Sequence, residues 1–322
     1  MAQQTTQWSS PGPGYTVSGT RLHQWRQQAL QQAIAHDISP SEVDWLLQAI
    51  SDLDRLTLRL ESFQTHPTIP LNIAFGELQQ RWQQRLETRS PLQYLVGRTQ
   101  WRQFNLTVSP AVLIPRPETE LIIDLAIATT QKYPHLGQGH WVDLGTGSGA
   151  IALGLADALS QATIHAVDCS AEALAIAQQN AREHSLDRIH FHHGHWLDPF
   201  QKRRSPLPTP PLPRPPNRFS GIVSNPPYIP STMVLDLQPE VTRHEPHLAL
   251  DGGADGLDCI RHLIARAPSH LVAGGILLIE MMAGQAEAVV ALLTRCQQYD
   301  DIACHPDLAG IQRFVLAHYR GD

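Results

Sequence analysis

"WVDLGTGSGA", residues 141–150, is a run of apolar residues that ends in three alternating glycines, Gly145, Gly147 and Gly149, and leads into a helical pattern. Glycines let the chain turn tightly and let a ligand approach the backbone closely. A helix that starts behind such a loop offers unpaired N–H groups at its N-terminus. The stretch therefore predicts a strand, a binding loop and a helix in direct succession.

The rest of the chain from Glu118 onward continues this alternation of strand and helix patterns. Alternation of this kind indicates an α/β fold in which helices cover a mostly parallel sheet. One segment interrupts the order, the proline-rich "RRSPLPTPPLPRPPNR" at residues 203–218. Its prolines favour polyproline II and a solvated surface insertion over a ligand for an aromatic groove.

The N-terminal third has a different character, rich in Gln, Leu and Arg at helical spacing. Between it and the α/β part, apolar residues alternate with polar ones at Phe104, Leu106 and Val108, which is typical of a hairpin. The predicted organisation is a flexible polar lead-in without a signal peptide at 1–20, a helical domain at 21–90, a β-hairpin connector at 91–116 and the α/β domain at 117–322.

Composition narrows the class of protein further. The 322 residues carry a net charge of −6 and four cysteines that form no C-x-x-C pair. This makes a disulfide framework or a zinc site unexpected and fits a reducing cytoplasm. No segment approaches the roughly 20 apolar residues that span a membrane. The acidic balance is weak evidence against a nucleic-acid partner.

An acidic residue follows the glycine loop at the distance expected for a nucleotide site. Asp168 ends the next strand pattern, "HAVD", about 20 residues on, where a carboxylate can accept both ribose hydroxyls. "GTGSGA" fits a nicotinamide dinucleotide, whereas Asp143 with the three glycines fits the D-x-G-x-G-x-G pattern of S-adenosylmethionine sites. Asp143 favours the second cofactor, because its carboxylate would engage an ammonium group and repel a pyrophosphate.

A second polar motif, "NPPY" at residues 225–228, follows the strand pattern "FSGIVS". This strand is the fourth of the sheet and is expected beside the first, so Asn225 would lie at the same edge as the glycine loop. The Asn225 oxygen and the Pro226 carbonyl could accept both hydrogens of an sp² nitrogen and aim it at a methyl group. Pro226 and Pro227 would keep the backbone rigid, and Tyr228 would pack on a planar substrate.

With these motifs the chain resembles the HemK/PrmC family of peptide chain release factor glutamine-N5 methyltransferases, from about Arg21 to Tyr319. The matching segments are "PLQYLVG", "LIPRPETE", "DLGTGSGAIAL", "AVDCSAEALAIAQQNA", "SNPPYIP", "EPHLALDGGADGL" and "DLAGIQRFV". The resemblance implies a class I S-adenosylmethionine-dependent methyltransferase, Rossmann-like, whose mostly parallel sheet has an antiparallel edge strand. It also implies methyl transfer to the glutamine of a Gly-Gly-Gln motif in release factors.

The same resemblance implies roles for individual residues. Asn225 would touch both cofactor and substrate, with Pro226, Pro227 and Tyr228 shaping the glutamine pocket. The helical domain and the hairpin would grip the release factor. The residues expected to bind the cofactor are Asp143, Gly145, Thr146, Gly147, Ser148, Gly149, Asp168 and, near the adenine, Trp196.

Three segments carry further expectations. Arg116, Glu118 and Glu120 of "PRPETE" are expected to line the cleft, although Glu118 and Thr119 could equally cap the following helix. His195 stands where the family usually has an aspartate before the tryptophan, which would alter the contact to adenine. The strand end at Glu280 is expected near the site, without an assigned role. The expected protein is a monomer with no metal.

Three other functions compete with this interpretation. A DNA adenine-N6 methyltransferase could hold an exocyclic amine with the same "NPPY" motif, but it would need a basic DNA-binding surface. A nicotinamide dehydrogenase lacks a convincing hydride-transfer residue here. A non-catalytic cofactor-binding module would not need Asn225.

The histidines of "HFHHGH", residues 190–195, alternate across strand faces and are expected at the surface and the cleft edge rather than around a metal.

Overall fold

The computed structural model describes residues 14–201 and 218–321. Nearly all of the proline-rich segment predicted as a surface insertion, and residues 1–13 of the predicted lead-in, lie outside this part of the chain. The chain divides into two compact units, Met1–Arg98 and Thr99–Asp322. Among the described residues, no helix is long and apolar enough to cross a membrane.

The first unit is mainly helical and has its own apolar core, which includes Leu22, Leu46 and Trp82. The predicted lead-in is wrong for its last residues, because Tyr15–Val17 form a strand that pairs antiparallel with Ile69–Leu71, more than fifty residues later. Ser18 then caps the first helix by accepting the Arg21 N–H. The elements are β1 (Tyr15–Val17), α1 (Gly19–Ala35), α2 (Ser41–Ile50), α3 (Arg55–Leu60), β2 (Ile69–Leu71), α4 (Phe75–Thr88) and α5 (Leu92–Val96).

The second unit has the predicted alternation of strands and helices. It begins with the hairpin strands β3 (Arg98–Trp101) and β4 (Phe104–Thr107). The remaining elements are α6 (Leu121–Lys132), β5 (His140–Leu144), α7 (Ala150–Ala158), β6 (Thr163–Asp168), α8 (Ala171–Glu183), β7 (His190–His193), β8 (Phe219–Ser224), α9 (Ser231–Val234), α10 (Pro239–His244), α11 (Asp258–Arg266), β9 (Leu271–Glu280), α12 (Ala286–Cys296), β10 (Tyr299–Pro306) and β11 (Gln312–Tyr319).

In residues 14–201 and 218–321, seven strands form the main sheet, in the order β10-β11-β9-β8-β5-β6-β7. The five strands from β9 to β7 run parallel, while β11 lies antiparallel to both β9 and β10. Every residue of β8 is buried, as expected for a central parallel strand that is covered on both faces. The predicted α/β fold with an antiparallel edge is confirmed.

The predicted neighbourhood of β5 and β8 is also confirmed, and it is tightly packed. The two strands pair in parallel, with Leu144 opposite Ser224 at their carboxyl ends. A Cβ atom added at Gly221 would lie 2.3 Å from the Trp141 ring, so only glycine leaves room for this buried indole. The Ser224 hydroxyl donates to the Leu144 carbonyl at 2.7 Å. The residues that follow both strands are thereby held side by side.

The hairpin belongs to the second unit rather than acting only as a connector. Residues 92–96 of the predicted connector are helical, and Trp101 and Phe104 of the hairpin enter the core of the α/β unit. The fully buried Asn180 side chain on α8 ties the hairpin to the glycine loop. Its Nδ2 donates to the carbonyls of Thr107 and Ser148, and its Oδ1 accepts the Thr107 N–H.

A row of histidines crosses one face of the sheet. The buried His165 on β6 lies with its Nε2 3.0 Å from Nδ1 of His140 and its Nδ1 2.9 Å from Nε2 of His192. His190 and His193 are exposed as expected, but His192 is half-buried because of this contact. Among the described residues, no group of three or more His, Cys, Asp or Glu residues is arranged to hold a metal ion.

This row predicts a specific dependence of stability on pH. Burial, with smaller contributions from His192 and His140, lowers the pKa of His165 from 6.5 to about 3. The unfolded chain therefore binds one more proton at His165 between these values, and stability falls as the pH decreases through that window. Replacing His165 by Leu should reduce the loss of unfolding free energy between pH 7 and pH 5 by about 2 kcal/mol relative to wild type. Urea unfolding of wild type and His165→Leu at both pH values measures this difference.

The exposed His135 supplies the matched control. His135→Leu should leave the pH dependence of unfolding unchanged. Equal pH dependence in wild type and His165→Leu would contradict the assignment of this proton to His165.

Candidate active site

A cavity of about 230 Å³ opens at the carboxyl ends of β5, β6 and β8. In a parallel α/β sheet, ligands bind at this edge. The structure brings seven of the residues singled out in the sequence to the wall of this one cavity. They are Gly145, Gly147, Asp168, His195, Trp196, Asn225 and Pro227.

The glycine loop forms one side of the cavity. Gly145 has a φ of +77°, and a Cβ atom added to it would lie 3.6 Å from Cζ3 of the Trp196 ring, inside the space that a ligand would use. The Gly147 N–H donates to Oδ2 of Asp168 at 2.8 Å. Gly149 starts α7 and packs against Leu153 and Ala177, so it supports the loop without lining the cavity.

Asp168 is held in place by the backbone on both of its oxygens. Oδ2 accepts the Gly147 N–H and Oδ1 accepts the Ser170 N–H at 2.9 Å. An ionised carboxylate has about four lone-pair positions, so two backbone donors leave further acceptor capacity. Asp168 can therefore still accept hydroxyl groups from a ligand in the cavity.

Asp143 does not lie where the sequence suggested. It is fully buried beneath the loop, where its Oδ2 accepts the Thr146 hydroxyl at 2.6 Å and the Ala152 N–H at 3.1 Å. Burial raises the pKa of this carboxyl to about 7. Among the described residues, its other oxygen, Oδ1, is buried without a hydrogen-bond partner, so the predicted contact with a ligand ammonium group stays a prediction. Thr146 and Ser148 are buried as well, the first bound to Asp143 and the second, through its carbonyl, to Asn180.

Asn225 faces the glycine loop across the cavity, and its amide is anchored from behind. Its Nδ2 donates to the Thr119 hydroxyl oxygen at 3.2 Å. The Thr119 hydroxyl in turn donates to Oε2 of Glu280 at 2.7 Å, and the Tyr228 hydroxyl donates to Oε1 of Glu280 at 3.2 Å. Within the part of the chain that the structure describes, Oδ1 of Asn225 is then the end of the amide without a hydrogen-bond partner.

The other members of the NPPY motif divide into two groups. Pro227 lines the cavity. Pro226 is buried and Tyr228 is half-buried, and neither side chain lines it. Burial and the neighbouring Glu280 raise the pKa of the Tyr228 hydroxyl, so it remains a hydrogen-bond donor at neutral pH.

Glu280 is the residue near the site that the sequence left without a role. It ends β9, is 1% exposed, and burial raises its pKa to about 7. Buried carboxylates are rare unless their oxygens are hydrogen-bonded, so an acidic residue at the end of the apolar run "GILLIE" is a usable signal. That signal marks the residue but does not say which side chains it holds.

The PRPETE segment supports the site without forming the cleft wall. Arg116 donates to Oε2 of the buried Glu245 at 2.6 Å, and Glu120 accepts the Arg102 N–H of the hairpin turn at 2.9 Å. Glu118 is exposed and does not line the cavity. The alternative helix cap is wrong too, because no side chain caps α6 and the Thr119 hydroxyl binds Glu280.

The NPPY backbone is clamped by two residues that the sequence did not single out. The Gln285 Nε2 donates to the Tyr228 carbonyl at 2.9 Å. A Cβ atom added at Gly252 would lie 2.8 Å from the Pro227 carbonyl oxygen, so glycine is needed for this close approach. Gly252 belongs to the "LDGGADGL" segment, and the dense glycines there were the available signal.

The charges along the cavity favour one of the two predicted cofactors. Asp168 and Asp251 are among the described residues that line it, and the same set contains neither lysine nor arginine. A dinucleotide pyrophosphate would find no counter-charge there, whereas the sulfonium and ammonium groups of S-adenosylmethionine are cationic. The Trp196 ring, beside Gly145, offers an apolar face to an adenine. The residues present therefore fit S-adenosylmethionine.

Comparisons with known proteins agree with this site. A family model described as a methyltransferase domain matches residues 137–225. The release factor glutamine methyltransferase of Synechocystis sp. is 50% identical over 303 residues, covering 94% of this chain and 97% of the relative. The protein of the same name from Thermosynechococcus vestitus is 46% identical, covering 94% and 99%.

A solved structure supports the fold alone. The hMettl16 catalytic domain in complex with MAT2A 3'UTR hairpin 1 has a TM-score of 0.50 at 13% identity, covering 80% of this chain and 84% of that one. Fold and cavity together define a class I methyltransferase that uses S-adenosylmethionine. At the identity and coverage of the two relatives, the chain belongs to the release factor glutamine methyltransferase family.

The geometry of Asp168 predicts its contribution to cofactor affinity. Replacing Asp168 by Ala removes the acceptor that faces the cavity and releases the Gly147 N–H. Hydrogen bonds to a charged group contribute about 1.5–3 kcal/mol, so the dissociation constant for S-adenosylmethionine should rise about 10- to 100-fold. Isothermal titration calorimetry measures the change. The exposed Asp187 gives the control, and Asp187→Ala should bind the cofactor as wild type does.

Proposed function

We propose that this protein transfers a methyl group from S-adenosylmethionine to the side-chain amide nitrogen, N5, of the glutamine in the Gly-Gly-Gln motif of peptide chain release factors. One observation carries the proposal: Asn225 lines the cavity that holds the glycine loop and Asp168, and its Nδ2 is bound to Thr119, which leaves Oδ1 as the end of the amide that can accept a substrate N–H. The names of the two relatives supply the substrate class.

The proposed cofactor contacts follow from the lining residues. Asp168 accepts the ribose hydroxyls, and the backbone at Gly145 and Gly147 allows the ligand to approach closely. Trp196 packs on the adenine, with the exposed His195 at the rim in place of the family's usual aspartate. Asp143 acts indirectly, by holding Thr146 and the start of α7 in position.

The proposed substrate contacts orient the glutamine amide. Oδ1 of Asn225 accepts one N–H, and the backbone carbonyl of Pro226 accepts the other. Pro227 forms part of the wall. Tyr228 keeps its ring fixed, because its hydroxyl is bound to Glu280 and its carbonyl to Gln285. When both N–H groups of the amide are bound to acceptors, the orientation of its nitrogen in the cavity is fixed.

Orientation accounts for most of the expected rate enhancement. When bound, S-adenosylmethionine supplies an electrophilic methyl group on a cationic sulfur. The amide lone pair is delocalised, so the chain must hold the nitrogen in line with the methyl carbon; such alignment can contribute roughly 7–11 kcal/mol. The cofactor's sulfonium would supply the methyl group and leave as a neutral thioether, and the methylated amide would release one proton to solvent. The acceptors at Asn225 and Pro226 stabilise the charge that develops on the nitrogen.

The same pair of acceptors could hold an adenine amine, so DNA is the second candidate. The net charge of −6 and an acidic cavity wall both disfavour a polyanionic partner.

A release factor as substrate also implies a cytoplasmic protein. We further propose that it works as a monomer and that the helical unit, with the hairpin, contacts the release factor.

The experiment is mass spectrometry of a purified release factor after incubation with the protein and S-adenosylmethionine. The expected result is one added methyl on the glutamine of Gly-Gly-Gln. Asn225→Ala removes one acceptor of the substrate amide and should lower the rate about 10²- to 10³-fold while cofactor binding persists.

Two further samples make the outcome decisive. A release factor in which that glutamine is replaced by glutamate should receive no methyl group. Methyl label in the adenine of added DNA, with none on the release factor, would establish the second candidate instead.

A further inference from the structure

The amide of Asn225 can in principle face the cavity either way round. Its oxygen and its nitrogen exchange places when the side-chain amide rotates by half a turn, and the two forms have nearly the same shape. Only the form with Oδ1 toward the cavity can accept a substrate N–H. The reversed form presents the NH₂ group, which repels an amide or amine hydrogen.

The partners behind Asn225 distinguish the two forms. An ionised carboxylate accepts hydrogen bonds and donates none. Because Thr119 has one hydroxyl proton and lies 2.7 Å from Oε2 of Glu280, that proton is committed to the carboxylate. The Thr119 oxygen, 3.2 Å from Nδ2 of Asn225, can then only accept. The amide group next to it must be the donor.

From this chain of bonds we propose that Glu280 is a positioning residue for methyl transfer, which acts through Thr119 to set the orientation of the Asn225 amide. The inference rests on the proposed function and deepens it. Glu280 is not among the described residues that line the cavity, and its two oxygens are bound to Thr119 and Tyr228. Its contribution is to make one of two nearly isosteric forms of Asn225 the stable one.

Burial keeps water from replacing the hydrogen bonds that link Glu280, Thr119 and Asn225. Glu280 is 1% exposed and Thr119 is 3% exposed. A buried hydroxyl that loses its partner cannot turn to water, so an unmade bond here has its full cost. Tyr228 donates to the second oxygen of Glu280, which keeps the carboxylate from rotating away from Thr119.

Protonation of Glu280 should release this constraint. A neutral carboxyl can donate to the Thr119 oxygen, the Thr119 hydroxyl can then donate to Asn225, and the amide can reverse. The groups that face Glu280 act in both directions: burial and, to a smaller extent, the nearby Glu118 raise its pKa, while Thr119, Tyr228 and Arg313 lower it, and the net result is a pKa of about 7. The active orientation is therefore expected above about pH 7 and is lost as the pH falls.

The test compares kinetics of release factor methylation in wild type and three variants. Glu280→Gln keeps the shape of the side chain but adds a hydrogen-bond donor. It therefore allows the reversed hydrogen bonds, in which the Thr119 hydroxyl donates to Asn225. Thr119→Val keeps the shape and removes the hydroxyl, whereas Thr119→Ser restores it. We expect kcat to fall about 10- to 100-fold in Glu280→Gln and Thr119→Val and to stay near wild type in Thr119→Ser. The dissociation constant for S-adenosylmethionine should be unchanged in all three.

A pH profile between about pH 5.5 and pH 8.5 supplies the readout that a merely structural role would not move. The wild-type kcat should fall as the pH decreases through about 7, and this limb should be absent from Glu280→Gln and Thr119→Val. The exposed Glu287 on α12 provides the matched control, and Glu287→Gln should keep both the rate and the profile.

The outcomes separate this inference from the proposed function. Full kcat in Glu280→Gln, an equal defect in Thr119→Ser and Thr119→Val, or a parallel loss of cofactor affinity would each overturn it. If wild type methylates adenine instead of the release factor, the proposed substrate is wrong, and the same variants are then compared on DNA, whose amine Asn225 would hold in the same way.

Discussion

The site depends on the pairing of β5 with β8. The two strands are separated by about eighty residues of sequence, yet their carboxyl ends are locked by the hydrogen bond from Ser224 to the Leu144 carbonyl. Gly145 follows β5 and Asn225 follows β8. The register of this one strand pair therefore places both the glycine loop and Asn225 at the cavity. A slip by one residue would turn the side chains of β8 to the opposite face and separate Asn225 from the glycine loop. Gly221 protects the register, because no larger residue fits against Trp141.

Two buried carboxylates then fix the two sides of the cavity in the same way. Asp143 accepts the hydroxyl of Thr146 and holds the glycine loop, while Glu280 accepts the hydroxyl of Thr119 and holds Asn225. Burial raises the pKa of each to about 7, and hydrogen bonds offset part of that cost. A hydroxyl between a carboxylate and the functional group is a directional link, since its one proton goes to the acid. Both acids therefore set the geometry of residues at the cavity, although neither is among the described residues that line it.

The sheet and the position of the motifs could be predicted from sequence because they follow from local rules. Apolar runs, glycine turns and the neighbourhood of the first and fourth strands are properties of short segments and of parallel topology. The direction of each side chain is not such a property. Asp143 reads as a ligand contact in the motif, but the Ala152 N–H and the Thr146 hydroxyl draw it beneath the loop. Tyr228 likewise turns toward Glu280, fifty-two residues away, and the short β1 strand exists only because β2 pairs with it.

The network also explains why the residue at position 225 must be an amide. The Thr119 oxygen can only accept when Glu280 is ionised, so its neighbour must donate. In the proposed reaction the substrate nitrogen carries hydrogens, so the same side chain must accept on its other end. Among short side chains, asparagine alone offers both functions at a fixed separation on a rigid plane. An aspartate would meet the Thr119 oxygen with lone pairs on both oxygens and would add a second negative charge near Glu280, raising the pKa of the pair. It would attract the cationic sulfur but lose its anchor. Asparagine thus reconciles a buried anion behind it with a cationic cofactor in front, and the NPPY motif and Glu280 are two parts of one arrangement.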